Sequence, residues 1–220
     1  MAAVQKPHPS PPRRRGSKKI VSFVKAKPAF LKVPSFGVVG GHHQRRMLKI
    51  TLFGSESTGK TTLAAQLAAH YQTVWIPEYS RVYQEKHRRP LDFRDVTPIA
   101  KGQLRLEKQY LSKSPNLLIC DTDVLETKVY SEAYYGKTPA WLLRDLPAHY
   151  ADFYLLTDID LPWLPDGIRD RPDDREAMHQ RFKTELTART LPFQEISGSE
   201  PERLQLAIRT IDQWLAPLHG

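Results

Sequence analysis

Leu48-Lys49-Ile50-Thr51-Leu52-Phe53-Gly54-Ser55-Glu56-Ser57-Thr58-Gly59-Lys60-Thr61-Thr62-Leu63-Ala64-Ala65-Gln66-Leu67-Ala68-Ala69 decides the fold. Leu48 to Phe53 is apolar and predicts a buried strand. Gly54 to Thr61 fits G-x-x-x-x-G-K-[ST], the phosphate-binding P-loop. Thr62 to Ala69 is a strong helix former. Strand, glycine loop and helix thus arrive in the order that phosphate binding needs. Gly54 and Gly59 let the backbone curl until its N–H groups point at a polyphosphate. Ser55, Glu56, Ser57, Thr58 and Thr62 complete the expected ATP cradle. Lys60 is expected on the β- and γ-phosphates, and the Thr61 hydroxyl on Mg²⁺.

Further along, strands and helices alternate. Strands are expected over Gln72–Ile76, Leu117–Cys120, Asp152–Thr157 and Pro192–Ile196. Helices are expected over Arg81–Lys86, Val96–Leu111, after Asp123 through Tyr135, and around Trp141–Leu146. Two more carry the stripes Met178, Phe182, Leu186 and Leu204, Ile208, Ile211, Leu215, the second opened by a capping box at Ser199–Glu202. Ser112 to Pro115 reads as a turn. The alternation predicts a three-layer α/β/α domain with a parallel sheet, ligands gathering at the carboxyl ends of its strands.

The whole-chain charge of +9 is unevenly placed. Residues 1–46 hold 11 of the 33 Lys and Arg, none of the 24 Asp and Glu, and six prolines. They show no periodicity and are expected to be disordered. The domain proper is placed at 47–220, where acids slightly outnumber bases, so nucleic-acid binding is not expected of it. A basic tail remains open as an anchor to nucleic acid or anionic lipid. Met47 directly precedes the first strand, so a natural product beginning there is the plainer expectation, decided by intact mass. Cys120 is the sole cysteine and suits a reducing, cytoplasmic setting. No run approaches the ~18 apolar residues of a membrane span.

Polar residues cluster where strands end. Asp121 closes a wholly apolar strand and is the expected second Mg²⁺ contact. Asp123, two residues on, is a candidate for metal or acceptor. Glu78 ends the second strand in Pro77-Glu78-Tyr79-Ser80-Arg81 and is the preferred base for an attacking hydroxyl, with Asp123 in reserve. Arg169 and Arg171, in the Asp- and Pro-rich stretch 158–174, are candidates for an arginine-rich lid over the transferring group. Ser197 to Ser199 is a candidate border for the adenine. Of the aromatics near strand ends (Trp75, Tyr79, Tyr83, Tyr130, Tyr134, Tyr135, Trp141, Trp163), most are expected in the core, with a few left to stack on a flat ring. The guanine motif N-K-x-D and the transporter signature L-S-G-G-Q are both missing.

In this order, Gly54–Thr62, Pro77-Glu78-Tyr79-Ser80-Arg81, Asp121-Thr122-Asp123 and Asp160-Leu161-Pro162-Trp163-Leu164-Pro165-Asp166-Gly167-Ile168-Arg169 resemble the ribosylnicotinamide kinase domain of the bacterial bifunctional NadR proteins. The resemblance spans about residues 48–217. It implies a nucleoside-kinase-like fold, ATP and Mg²⁺, and phosphorylation of the 5′-hydroxyl of nicotinamide riboside. No H-x-G-H motif accompanies it, so adenylyl transfer is not expected from these residues. Two alternatives stay open: a kinase for another nucleoside, and a regulatory ATPase acting on a protein or RNA.

Overall fold

The computed structural model describes residues 47–111, 116–162 and 174–216. The basic tail, the expected turn at 112–115, Trp163, Arg169 and Arg171 lie outside the described residues. Five parallel strands form one sheet in the order β2-β3-β1-β4-β5. They are β1 (Leu48–Phe53), β2 (Trp75–Ile76), β3 (Leu117–Asp121), β4 (Phe153–Thr157) and β5 (Phe193–Ile196). The helices are α1 (Lys60–His70), α2 (Tyr79–His87), α3 (Phe93–Leu111), α4 (Val124–Tyr135), α5 (Ala140–Asp145), α6 (Arg175–Ala188) and α7 (Glu200–Leu215). Among the described residues, no helix is long and apolar enough to cross a membrane.

The central strands are apolar on both faces because both are covered. Leu48, Ile50 and Leu52 of β1 pack with Leu63 and Leu67 of α1 and Ala207 and Ile211 of α7. Phe53, Tyr154 and Leu156 point the other way, against α3, α4 and α6. The stripe Met178, Phe182, Leu186 is buried there as its spacing predicts. In α7 the buried face is centred on Arg203, Ala207 and Ile211, with Leu204, Ile208 and Leu215 partly buried beside it. The Ser199 N–H donates to Glu202 at 2.8 Å, as the capping box requires.

Several boundaries differ from expectation, among them those of β2, α2 and α3. β2 has only Trp75 and Ile76, because Gln72 turns left-handed (φ 52°) and the Thr73 N–H closes onto Ala68 at the end of α1. α2 starts at Tyr79, with Glu78 at its N-cap. α3 starts at Phe93, because Asp92 and Asp95 together cap its start: the Arg94 N–H donates to the Asp92 carboxylate at 2.8 Å, and the Asp92 N–H to Asp95 at 2.8 Å. Of the aromatics expected in the core, Trp75, Tyr130, Tyr135 and Trp141 pack against it while staying partly exposed. None of Trp75, Tyr79, Tyr83, Tyr130, Tyr134, Tyr135 and Trp141 is fully buried. The most buried aromatic side chains are instead Phe53, Tyr154 and Phe182.

Register brings the chemistry together. Leu52 lies opposite Asp121 and Phe53 opposite Leu156. The loop leaving β1 therefore starts beside Asp121, where the strand order turns back on itself.

Candidate active site

Gly54 to Gly59 curl tightly between β1 and α1. Gly54 has φ 143°, and a Cβ there would lie 2.7 Å from the Thr157 hydroxyl oxygen, so β4 sits where a side chain would go. Gly59, left-handed at φ 77°, is the N-cap of α1. Neither a side-chain cap nor a first-turn acid neutralises that end of the helix. Its N–H groups and dipole thus remain available to an anion. The Thr58 hydroxyl donates to the Ser55 carbonyl at 2.8 Å and meets Thr157 at 2.7 Å.

Lys60 is buried. Its ammonium donates to the Gly54 carbonyl at 2.7 Å and the Ser55 carbonyl at 2.9 Å, and lies 3.5 Å from Glu126 Oε1. Sequence reading missed Glu126. Burial pushes its carboxyl well above the ordinary range; the Lys60 ammonium opposes that, while Glu78, Asp121 and Asp123 reinforce it. The Thr61 hydroxyl donates to Asp121 Oδ2 at 2.6 Å. These two hard oxygens, at adjacent strand and helix ends, suit a hard cation. Among the described residues no three or more His, Cys, Asp or Glu gather to cage a metal.

A cavity of about 330 Å³ opens beside the loop. Glu56 of the loop, Glu78, Arg81, Glu126, Tyr130 and Tyr134 are among the residues that line it. Glu78 accepts a hydrogen bond from the Ser80 hydroxyl. Its corner is fixed by α3: the Tyr79 N–H donates to Gln103 Oε1 at 2.9 Å, and the Tyr79 ring lies where a Cβ on Gly102 would be. A smaller hollow of about 100 Å³ is bordered by Gly59, Thr62, Leu161 and Arg203.

Asp123 sits elsewhere. It is buried and does not line the cavity. Its carboxylate accepts from the Leu125 N–H at 2.9 Å, the Tyr154 hydroxyl at 3.0 Å and the Thr51 hydroxyl at 3.4 Å, with Lys49 Nζ at 3.7 Å. Those partners make it the N-cap of α4 and part of a buried polar knot. Lys49 also donates to Glu107 at 2.8 Å and to the His149 carbonyl at 2.9 Å. Burial works against the Lys49 charge, but Asp123 and Glu107 outweigh it and hold its pKa above the ordinary lysine value.

Two other arginines, unforeseen from the sequence, serve the loop. Arg203 of α7 donates to the Thr58 carbonyl at 2.7 Å, the Gly198 carbonyl at 2.9 Å and the Asp158 carbonyl at 2.8 Å, and pairs with Asp160. Arg175, at the start of α6, reaches the Ser57 carbonyl at 3.3 Å and the Leu161 carbonyl at 3.1 Å.

Residues 49–203 match the AAA domain family. The chain belongs to this family. It is 24% identical over 157 residues to the trifunctional NAD biosynthesis/regulator protein NadR of Salmonella typhimurium, covering 69% of this chain and 38% of that protein. The NadR of Escherichia coli is 27% identical over 124 residues, covering 54% of this chain and 30% of that protein. The chain therefore spans well under half the length of these curated relatives. Among solved structures, it superposes on a NadR protein in complex with NR (TM-score 0.65, 23% identity, 78% of this chain and 52% of that one). It matches a NadR in complex with NAD and AMP-PNP equally well (TM-score 0.65, 22% identity, 77% and 50%). Thymidylate kinase from Ehrlichia chaffeensis follows (TM-score 0.57, 15% identity, 75% and 98%). The fold is that of P-loop kinases of nucleosides and nucleotides.

Proposed function

We propose that this chain transfers the γ-phosphoryl group of ATP to the 5′-hydroxyl of a nucleoside, with nicotinamide riboside as acceptor and nicotinamide mononucleotide as product. One observation carries the reading: a single cavity joins the P-loop, through Glu56, to the carboxylates of Glu78 and Glu126. A donor on the loop and an acceptor in the cavity would meet beside Lys60. The similarity to NadR, solved with NR and with AMP-PNP, supports both partners. The acidic and aromatic lining, with Glu56, Glu78 and Tyr134, also suits a cationic pyridinium ring.

In this reading the acceptor oxygen attacks the γ-phosphorus, the bond to the β–γ bridging oxygen breaks, and ADP leaves. Glu78 takes the hydroxyl proton. Lys60 and the N-terminus of α1 hold the phosphates and offset their charge. Thr61 and Asp121 are the residues that would hold Mg²⁺, which supplies further neutralisation of the phosphate oxygens. Arg169 and Arg171 keep their proposed place as cations for the transferring group. Positioning and charge stabilisation then supply most of the catalysis.

The test is ATP turnover by the full chain across a panel of nucleosides, with products identified by mass. Consumption that rises with nicotinamide riboside and yields nicotinamide mononucleotide is expected. Hydrolysis indifferent to every nucleoside but stimulated by RNA or protein contradicts the proposal and favours a regulatory ATPase.

A further inference from the structure

Two buried polar atoms on α4 have no hydrogen-bond partner: Glu126 Oε2 and the Tyr130 hydroxyl. Both residues line the cavity. Native proteins rarely leave such groups unpaired, and those that face a cavity point to a ligand that completes them. At i and i+4 the two side chains lie one above the other on the same helix face. A third unpartnered atom, Gln103 Nε2, belongs to a side chain whose other end already holds the Tyr79 N–H.

Glu126 has two different ends. Oε1 faces Lys60 at 3.5 Å, which places it at the phosphoryl-transfer end of the cavity. Oε2 is the end without a partner. Whatever meets Oε2 therefore lies within a few ångströms of the reacting hydroxyl, and in a nucleoside that part is the sugar. Tyr130 lies within electrostatic reach of Glu126, Glu56 and Glu78; burial, reinforced by those carboxylates, raises its pKa and keeps its phenol a donor. One carboxylate oxygen that accepts and one phenol that donates and accepts match two neighbouring hydroxyls.

We propose that Glu126 and Tyr130 form the sugar-recognition face of the cavity, binding the vicinal hydroxyl pair of a ribose, so that the site prefers ribonucleosides to their 2′- and 3′-deoxy counterparts. This rests on the kinase reading above and adds the residues and the sugar chemistry. A site built to bond a hydroxyl rejects the analogue lacking it, because its own buried groups are left unpaired.

The experiment measures kcat/KM of the full chain for nicotinamide riboside and for its 2′-deoxy and 3′-deoxy analogues, in wild type, Glu126→Gln and Tyr130→Phe. Wild type is expected to favour the ribonucleoside by about tenfold or more over each analogue. Both variants are expected to pull that ratio toward unity, chiefly by raising KM for the ribonucleoside. A purely structural role would lower all three activities together and leave the ratio unmoved. Tyr130→Phe removes one oxygen and no contact to Lys60, so it decides the matter if Glu126→Gln does not fold. A wild type that uses the deoxy analogues equally well, or variants that keep full discrimination, overturns the inference while the kinase reading stands. A wild type that phosphorylates no nucleoside overturns both.

Discussion

Lys60 is held by the Gly54 and Ser55 carbonyls and faces Glu126 at 3.5 Å, so its charge is already placed in a dry site. Removing it deletes a charge-assisted bond to the transferring phosphate. Lys60→Ala is expected to lose about 1.5–3 kcal/mol, roughly ten- to a hundredfold in rate. Full turnover with intact ATP affinity, measured by steady-state kinetics and equilibrium titration, would contradict its role. Glu78 lines the cavity at the N-cap of α2, where its carboxylate can meet an acceptor hydroxyl. Glu78→Gln is expected to cut kcat about a hundredfold or more while leaving ATP binding in place; an unchanged kcat removes it from the mechanism. Lys60, Thr61 and Asp121 were legible because a motif and a strand end are local features. Glu126 was not: Asp123-x-x-Glu126 spells a capping box, yet in the fold Asp123 caps alone and Glu126 turns to Lys60. Arg203 and Arg175 were hidden for another reason. Their partners in the loop are carbonyls 145 and 118 residues away, which no local pattern records.

At the scale of elements, α2 and α3 form the corner that carries Glu78. Asp95 ties it down, accepting from Arg89 at 2.7 and 2.8 Å, from the Tyr83 hydroxyl at 2.9 Å and from the Asp92 N–H at 2.8 Å. Arg89 above all, with the Asp92 N–H and Tyr83, holds the Asp95 carboxyl well below its ordinary value of 3.8, although burial pushes the other way. A carboxylate with a depressed native pKa stabilises fully above its unfolded value and loses that contribution as pH falls through the native one. Asp95→Asn should therefore lower Tm at neutral pH, and the gap to wild type should shrink progressively below about pH 4. Thermal melts over a pH series check this; a gap that stays constant into strong acid contradicts it. Of the α2–α3 corner, the sequence showed helical periodicity but not the helix starts. The start of α3 depends on side chains that cap it, Asp92 and Asp95, and apolar spacing carries no record of that.

For the whole molecule, the order β2-β3-β1-β4-β5 places the loop after β1 between the ends of β3 and β4. The parallel sheet between helices was readable from alternation; the order of its strands was not, because it depends on pairing between segments distant in sequence. The cavity was less readable. Its walls come from the P-loop, the end of β2, α2, α3 and α4, and only packing brings Glu56, Glu78 and Glu126 to one space. Of the aromatics expected in the core, Tyr130, Tyr134 and Tyr135 line this opening, while Phe53, Tyr154 and Phe182 fill the space behind β1 and β4. The account as a whole depends on a triphosphate bound at the N-terminus of α1 with its last phosphate toward that cavity. Calorimetric titration of the full chain with AMP-PNP and Mg²⁺ tests this most directly. Saturable binding at one site per chain, weakened in Lys60→Ala, is the result expected; wild-type protein that takes up no nucleotide would contradict it.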